Sequence, residues 1–110
     1  AGLEMGGIPI ATVLSQKTGK PLAMVRKKAK EYGTMKLAEG AEIKGKKVVI
    51  IEDVITSAGQ VVKSAEDMRK IGADIDTALC VIDREAGGKD NLAAKNIELK
   101  ALLGMSELKG

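Results

Sequence analysis

Histidine, phenylalanine and tryptophan are absent from this chain of 110 residues, and Tyr32 is its only aromatic side chain. Each absence closes a class of function. Without histidine, and with Cys80 as the single cysteine, neither a zinc site nor a histidine-based triad can be assembled, and no internal disulfide can form. Without aromatics a nucleic-acid base has nothing to stack on, so no nucleic-acid partner is expected, and the core must be aliphatic. No apolar run approaches the ~18 residues of a membrane-spanning helix, and no secretory leader is visible. No membrane partner is expected either, and a reducing cytoplasm fits best. The chain opens on Ala1 rather than Met, as a processed, cut or engineered product would.

What is present is a balance of 45% hydrophobic and 30% charged residues, that of a soluble globular protein. The length suits one domain over residues 1–110, and folding at this size buries roughly two-thirds of the chain's surface. The net charge of +3 permits an anionic ligand without demanding a polyanion. Cys80 sits in an apolar run and reads as a small core residue.

Apolar runs alternate with helical patterns. Residues 8–16 read as a helix, with Pro9 in its first turn and Gly19 just past its end. Residues 21–25 read as a short strand, and residues 26–47 as a basic, glycine-containing excursion, longer than passive loops usually are, of which residues 26–45 are expected to be mobile without ligand. Val48, Val49, Ile50 and Ile51 form a β-branched run typical of a strand covered on both faces. Residues 59–71 read as a helix with Val61, Ala65 and Met68 on one face and Gly72 closing it. A strand over 75–82, a short helix over 89–95 ended by Asn96, a strand over 97–103 and a helical first turn at 106–108 complete the pattern. Strands separated by helices imply parallel pairing with right-handed crossovers. The expected fold is α/β, a parallel sheet of about four strands with flanking helices.

The chemistry is concentrated after the β-branched run, in the stretch VVIIEDVITSAGQ. Ligands of an open parallel sheet bind beyond the carboxyl ends of its strands, where Glu52 and Asp53 are expected. The helix that follows offers unpaired N–H groups and the positive end of its dipole. Small residues let an anion approach them closely, so Thr56, Ser57, Ala58, Gly59 and Gln60 read as a phosphate cradle. The carboxylates beside it suit sugar hydroxyls or a hydrated metal ion. The same residues also suit a capped helix after a buried strand. Residues 40–47 match G-x-x-x-x-G-K, but Lys47 replaces the hydroxyl residue and the motif precedes its strand, so this is an ordinary turn. The basic run Arg26, Lys27, Lys28, Lys30 is either a solvated patch or a set of cations that folds over an anion. Gly2 to Gly7 form a glycine-rich turn before a helix, a second candidate anion nest. Arg84 follows a strand and precedes Gly87 and Gly88; its guanidinium suits a carboxylate, or a surface ion pair with Asp83 or Glu85.

Taken together, VVIIEDVITSAGQ, MVRKKAKEYGT and VIDREAGG resemble, in order, the diphosphate-substrate motif, the catalytic loop and the base-side strand end of the type I phosphoribosyltransferases, in particular the orotate phosphoribosyltransferases. The resemblance covers nearly the whole chain. It implies transfer of the phosphoribosyl group of 5-phosphoribosyl-1-diphosphate to orotate, giving orotidine 5-phosphate and diphosphate in pyrimidine biosynthesis. Glu52 and Asp53 would then bind the ribose hydroxyls, and Val54, Ile55, Thr56, Ser57, Ala58, Gly59 and Gln60 would surround the 5-phosphate. Thr56 would also face orotate and Arg84 would hold its carboxylate. Arg26, Lys27 and Lys30 would neutralise diphosphate, with Arg26 reaching into the neighbouring subunit of a dimer. Lys30 and Asp53 would be the catalytic pair. Magnesium would ride on diphosphate and ribose oxygens, with no dedicated protein metal site.

The chain also departs from the family pattern. Tyr32 stands where many relatives carry a loop histidine, Gly6 where some carry a diphosphate-binding lysine, and Ala58 where glycine is usual. The resemblance further implies an N-terminal hood, a strand leading into the first glycine-rich turn, and a helix continuing past Lys109. A sheet without that strand is expected to show an uncovered apolar edge near residues 2–10 and to associate as a homodimer or higher oligomer. A core that grips phosphate or dimerises without catalysing remains the alternative.

Overall fold

The computed structural model describes residues 1–27 and 37–109. Its longest strands grow from the two most apolar runs. β4 (Lys47–Ile55) carries the β-branched stretch, and β5 (Asp74–Asp83) pairs with it in parallel from Lys47↔Asp74 to Ile55↔Asp83. β6 (Glu98–Gly104) pairs with β5, also in parallel. On the other side of β4 lie β1 (Gly2–Leu3), then β2 (Ala23–Val25), then β3 (Ala38–Gly40), giving the order β3-β2-β1-β4-β5-β6. All pairings are parallel except the antiparallel one between β2 and β3.

The helices form where the apolar periodicity places them. α1 (Gly7–Thr18) ends at Gly19, whose φ of 73° is the left-handed conformation glycine adopts without strain. α2 (Gly59–Ile71) buries Val61, Ser64, Ala65 and Met68 and ends at Gly72 in the same conformation. α3 (Gly88–Ala93) and α4 (Met105–Lys109) are short. The right-handed crossover rule sends α1 and α2 to opposite faces, because the chain leaves β1 in one direction across the sheet and β4 in the other. Consecutive residues of β4 record this. Ile50, fully buried, joins the aliphatic core with Val61, Met68, Ala78, Cys80 and Leu92, whereas Ile51 lies outside that cluster and lines a cavity with Ile10 and Leu14 of α1. Cys80 is buried as a core residue, and burial raises its thiol to about 11.

Three expectations need correction. Among the described residues the sheet has six strands, not about four. The two extra strands are two and three residues long, too short and too poor in β-branched residues to show periodicity. β3 lies inside the stretch read as an excursion, where Leu37 and Ile43 are also buried; the remainder, residues 28–36, lies outside the described residues. Second, residues 2–10 do not form an uncovered edge. β1 is an inner strand with Gly2 and Leu3 both buried, and the edges are β3 and β6. Short as it is, β1 is held from both sides. The Ala1 ammonium donates to the Val49 carbonyl at 2.7 Å, Ile51 N–H donates to the Ala1 carbonyl at 2.8 Å, and Glu4 N–H donates to Val25 at 2.8 Å. Third, the acids do not lie beyond a strand end, because β4 continues past them to Ile55.

α1 starts against the backbone of β4. A Cβ added at Gly7 would lie 2.2 Å from the Ile51 carbonyl oxygen, a backbone atom that cannot swing aside. Gly7→Ala should therefore lower stability by about 1–3 kcal/mol, read as a lower urea midpoint at unchanged m-value. A wild-type midpoint would show that α1 lifts off β4 without penalty.

Candidate active site

The chain leaves β1 toward β2 and returns to form β4 on β1's other side. The crevice at such a reversal, outside the carboxyl ends of the strands, is where open α/β sheets bind ligands. The turn after β1 and the loop after β4 both open there. They lie close together: a Cβ at Gly6 would be 2.1 Å from Asp53 Oδ2. Glycine at this position leaves the Asp53 carboxylate room beside the turn.

Glu52 and Asp53 are the sixth and seventh of the nine residues of β4, with Glu52 in register with Cys80. Parallel pairing persists to Ile55↔Asp83, which is why the strand outruns the two acids. Asp53 Oδ1 accepts the Val54 N–H at 2.7 Å, and Glu52 Oε1 accepts the Asp53 N–H at 3.1 Å. Glu52 borders an apolar cavity of about 180 Å³ shared with Ile10, Leu14, Leu79 and Leu102. Burial, with the neighbouring Asp53 charge adding to it, pushes its carboxyl from 4.5 up to about 7; the Lys27 ammonium acts in the opposite direction.

Residues 56–58 then lead into α2. Ala58, the N-cap, is left-handed with φ of 69° and provides no side-chain cap. A left-handed alanine costs on the order of 1–2 kcal/mol, so the surroundings must hold it there. It is 5% exposed. Among the described residues, the backbone N–H groups of residues 57–60 have no acceptor. These four donors lie at the positive end of a thirteen-residue helix, at the residues read from the sequence as a phosphate cradle.

The segment after β2 arrives at the same place. Lys27 N–H donates to Glu4 Oε1 at 2.5 Å, and Gln60 Nε2 donates to Ser64 Oγ at 3.0 Å and to the Lys27 carbonyl at 3.5 Å. Lys27 is thus tied both to the glycine-rich turn and to the start of α2. Arg26 is ion-paired with Glu39. Lys30, Lys28 and Tyr32 lie outside the described residues.

Arg84 follows β5, its N–H bonded to the Ile55 carbonyl at 2.9 Å. The alternative of an ion pair with its neighbours is not met: Asp83 Oδ1 accepts the Glu85 N–H at 2.8 Å, and Glu85 Oε1 accepts the Ser106 N–H at 2.5 Å. That bond also lowers the Glu85 carboxyl. The Arg84 side chain is exposed. The G-x-x-x-x-G-K match is a turn before β4, with Lys46 N–H bonded to the Ile43 carbonyl.

Two contacts carry no motif. Glu4 is read in the sequence only as part of the glycine-rich turn, yet its carboxylate anchors Lys27. Asn91 donates from Nδ2 to the Ser57 carbonyl at 2.8 Å. Nothing in sequence spacing links residues 34 positions apart. The glycine pair before α3 is the only local sign that its start approaches another backbone.

Known proteins share this fold. An orotate phosphoribosyltransferase of Nocardioides sp. is 50% identical over 97% of this chain and 60% of its own length. That of Pyrococcus horikoshii is 47% identical over 98% of this chain and 58% of its own. The chain therefore spans about three-fifths of the length of these curated relatives. Among solved structures, a phosphoribosyltransferase from Corynebacterium diphtheriae superposes with a TM-score of 0.88 at 31% identity, covering all of this chain and 66% of that one. The Mycobacterium tuberculosis orotate phosphoribosyltransferase in complex with 5-phospho-alpha-D-ribosyl 1-diphosphate gives 0.82 at 25% identity, covering 97% and 62%. The family model of the phosphoribosyl transferase domain matches residues 1–100, from the strand before the glycine-rich turn into the last strand of the sheet, and the chain belongs to that family.

Proposed function

We propose that this site binds 5-phosphoribosyl-1-diphosphate and transfers its phosphoribosyl group to orotate, giving orotidine 5-phosphate and diphosphate. The observation that carries the reading is the order along one stretch of chain: two carboxylates in β4, then four unpaired backbone N–H groups opening α2. A ribose 5-phosphate presents hydroxyl donors at one end and a dianion at the other, with the spacing of a single sugar. The phosphate takes the N–H groups and the Thr56 and Ser57 hydroxyls, while Glu52 and Asp53 accept from the ribose hydroxyls. The relatives' names supply orotate as acceptor, and Arg84, unengaged by its acidic neighbours, supplies a guanidinium for its carboxylate.

In the reaction the bond from C1 to the diphosphate oxygen breaks and its electron pair leaves with diphosphate. A ring nitrogen of orotate supplies the new pair to C1, and the proton it carried passes to diphosphate or water. Positive charge develops on the ribose and negative charge on the leaving group. The protein's work is then to fix the sugar and neutralise diphosphate. Asp53 fixes the sugar edge, and Arg26, Lys27 and Lys30 provide the cations. Magnesium fits this donor set. The ion would be held by substrate oxygens and at most the Glu52–Asp53 pair. When bound it withdraws charge from the leaving diphosphate.

Titration with ribose 5-phosphate should shift the amide resonances of residues 56–60, and orotate should be consumed when magnesium and the diphosphate substrate are added. Shifts elsewhere with these amides silent would overturn the site. Binding without turnover would leave a phosphate-gripping core.

Glu52 makes the site pH-sensitive. Between its ordinary 4.5 and about 7 the folded chain keeps a proton that the unfolded chain has released. Stability should therefore fall as pH rises through that window, while ribose binding strengthens because the ionised carboxylate is the better acceptor. Glu52→Gln should remove both slopes; unchanged slopes in urea melts and titrations would place their origin elsewhere.

Association of two copies belongs to the same reading. β6 is an edge strand on which Leu102 is 76% exposed, a surface of the kind that proteins cover. Sedimentation at micromolar concentration should show a dimer, and a clean monomer would remove this part of the proposal.

A further inference from the structure

α3 is six residues long and sits between β5 and β6. It anchors the core through Leu92, which is fully buried, but its first turn faces the loop that opens α2. A Cβ added at Gly88 would lie 2.5 Å from the Thr56 carbonyl oxygen and 2.7 Å from Ile55 Cγ2. Asn91, one turn on, donates from Nδ2 to the Ser57 carbonyl at 2.8 Å. Two successive carbonyls of the loop are thus turned toward α3.

In a trans peptide the carbonyl and the following N–H point in opposite directions. The only cis bond among the described residues is Glu4–Met5, so both loop peptides obey this rule. Holding the Thr56 and Ser57 carbonyls against α3 aims the Ser57 and Ala58 N–H groups away from it. The left-handed Ala58 has no local reason to choose this orientation, since an alanine unconstrained by its surroundings favours right-handed or extended backbone. The choice is made from outside the loop.

We infer that Asn91 is a positioning residue for the anion site: by holding the Ser57 carbonyl on the α3 side, it turns the Ala58 N–H toward the bound phosphate. Only an amide or similar donor can do this, because the group it meets is a carbonyl. The contact is exposed, so it adds little to global stability, and its loss is felt in the orientation of one peptide. The inference rests on the phosphate reading above for its consequence, but not for its geometry.

The test uses the 110-residue chain with inorganic phosphate and ribose 5-phosphate as probes. Asn91→Ala should weaken both by about fivefold, the equivalent of one lost hydrogen bond, with little change in the urea midpoint. Asn91→Asp, which keeps the shape and loses the donor, should bind at least as poorly. Asn91→Gln, which keeps the donor, should recover part of the affinity. Without any ligand, the Ala58 amide resonance should move in Asn91→Ala, and the wild-type Asn91 side-chain amide should exchange more slowly than that of Asn96, whose side chain is exposed. Affinity within twofold of wild type in Asn91→Ala would overturn the inference. So would an Asn91 amide that exchanges as fast as that of Asn96, a reading that needs no variant to fold. If the wild-type chain binds no phosphate at all, the proposed function fails, and the ligand-free resonances still decide the role of Asn91.

Discussion

Backbone N–H groups need acceptors, and four in succession at residues 57–60 have none among the described residues. A side-chain cap would satisfy at least one of them, but the N-cap is Ala58, with nothing to offer. The start of α2 therefore depends on solvent or on an anion. The neighbouring elements are arranged around that dependence. Ala58 accepts a strained conformation, Gly88 gives up a side chain so that the Thr56 carbonyl can approach, and Asn91 takes the next carbonyl. A helix with an ordinary serine or aspartate cap would be easier to form and would have less to give a ligand.

The sheet determines what lies opposite those donors. Because β1 and β4 are neighbours whose crossovers diverge, their carboxyl ends open onto one crevice. Whatever the chain places after β1 and within the end of β4 meets there. That is why Asp53 finds Gly6, and why a two-residue strand matters: without the bonds from Ala1 to Val49 and from Ile51 to Ala1, the glycine-rich turn would have no fixed position relative to the acids. Lys27, held by Glu4 on its N–H and approached by Gln60 on its carbonyl, closes the same crevice from the β2 side.

Elements whose signal is local were legible in the sequence. The bounds of α2 follow from an apolar face of Val61, Ala65 and Met68 and a glycine stop. β4 and β5 follow from β-branched runs, and Cys80 from its apolar setting. The strand-to-helix junction that carries the proposed anion site was legible because strand, acids, small residues and helix are contiguous. What escaped depends on partners distant in the chain. β1 and β3 exist because β2 and β4 offer them hydrogen bonds, not because Gly2-Leu3 or Ala38-Glu39-Gly40 prefer a strand. The edge expected at residues 2–10 came from taking the strand before the glycine-rich turn as missing, whereas Gly2-Leu3 forms a strand there. Asn91 reaches Ser57 across 34 positions, and the Glu4 contact crosses 23; no periodicity encodes either.

The absences of the sequence are compatible with the chemistry proposed for this site. Breaking the C1–diphosphate bond requires neutralisation of a leaving group that is already a good one, together with a fixed sugar, so a histidine base is not obligatory. In that chemistry the cations would come from segments after two strands, Arg26 and Lys27 after β2 and Arg84 after β5. The charge that remains inside is acidic and partly suppressed. Glu52, its carboxyl raised to about 7 beside an apolar cavity, carries only a fraction of a charge near neutrality. In the proposed reading its ionisation makes it the better acceptor for a ribose hydroxyl, so the acidic end of β4 serves the sugar while the N–H groups opening α2 serve the phosphate.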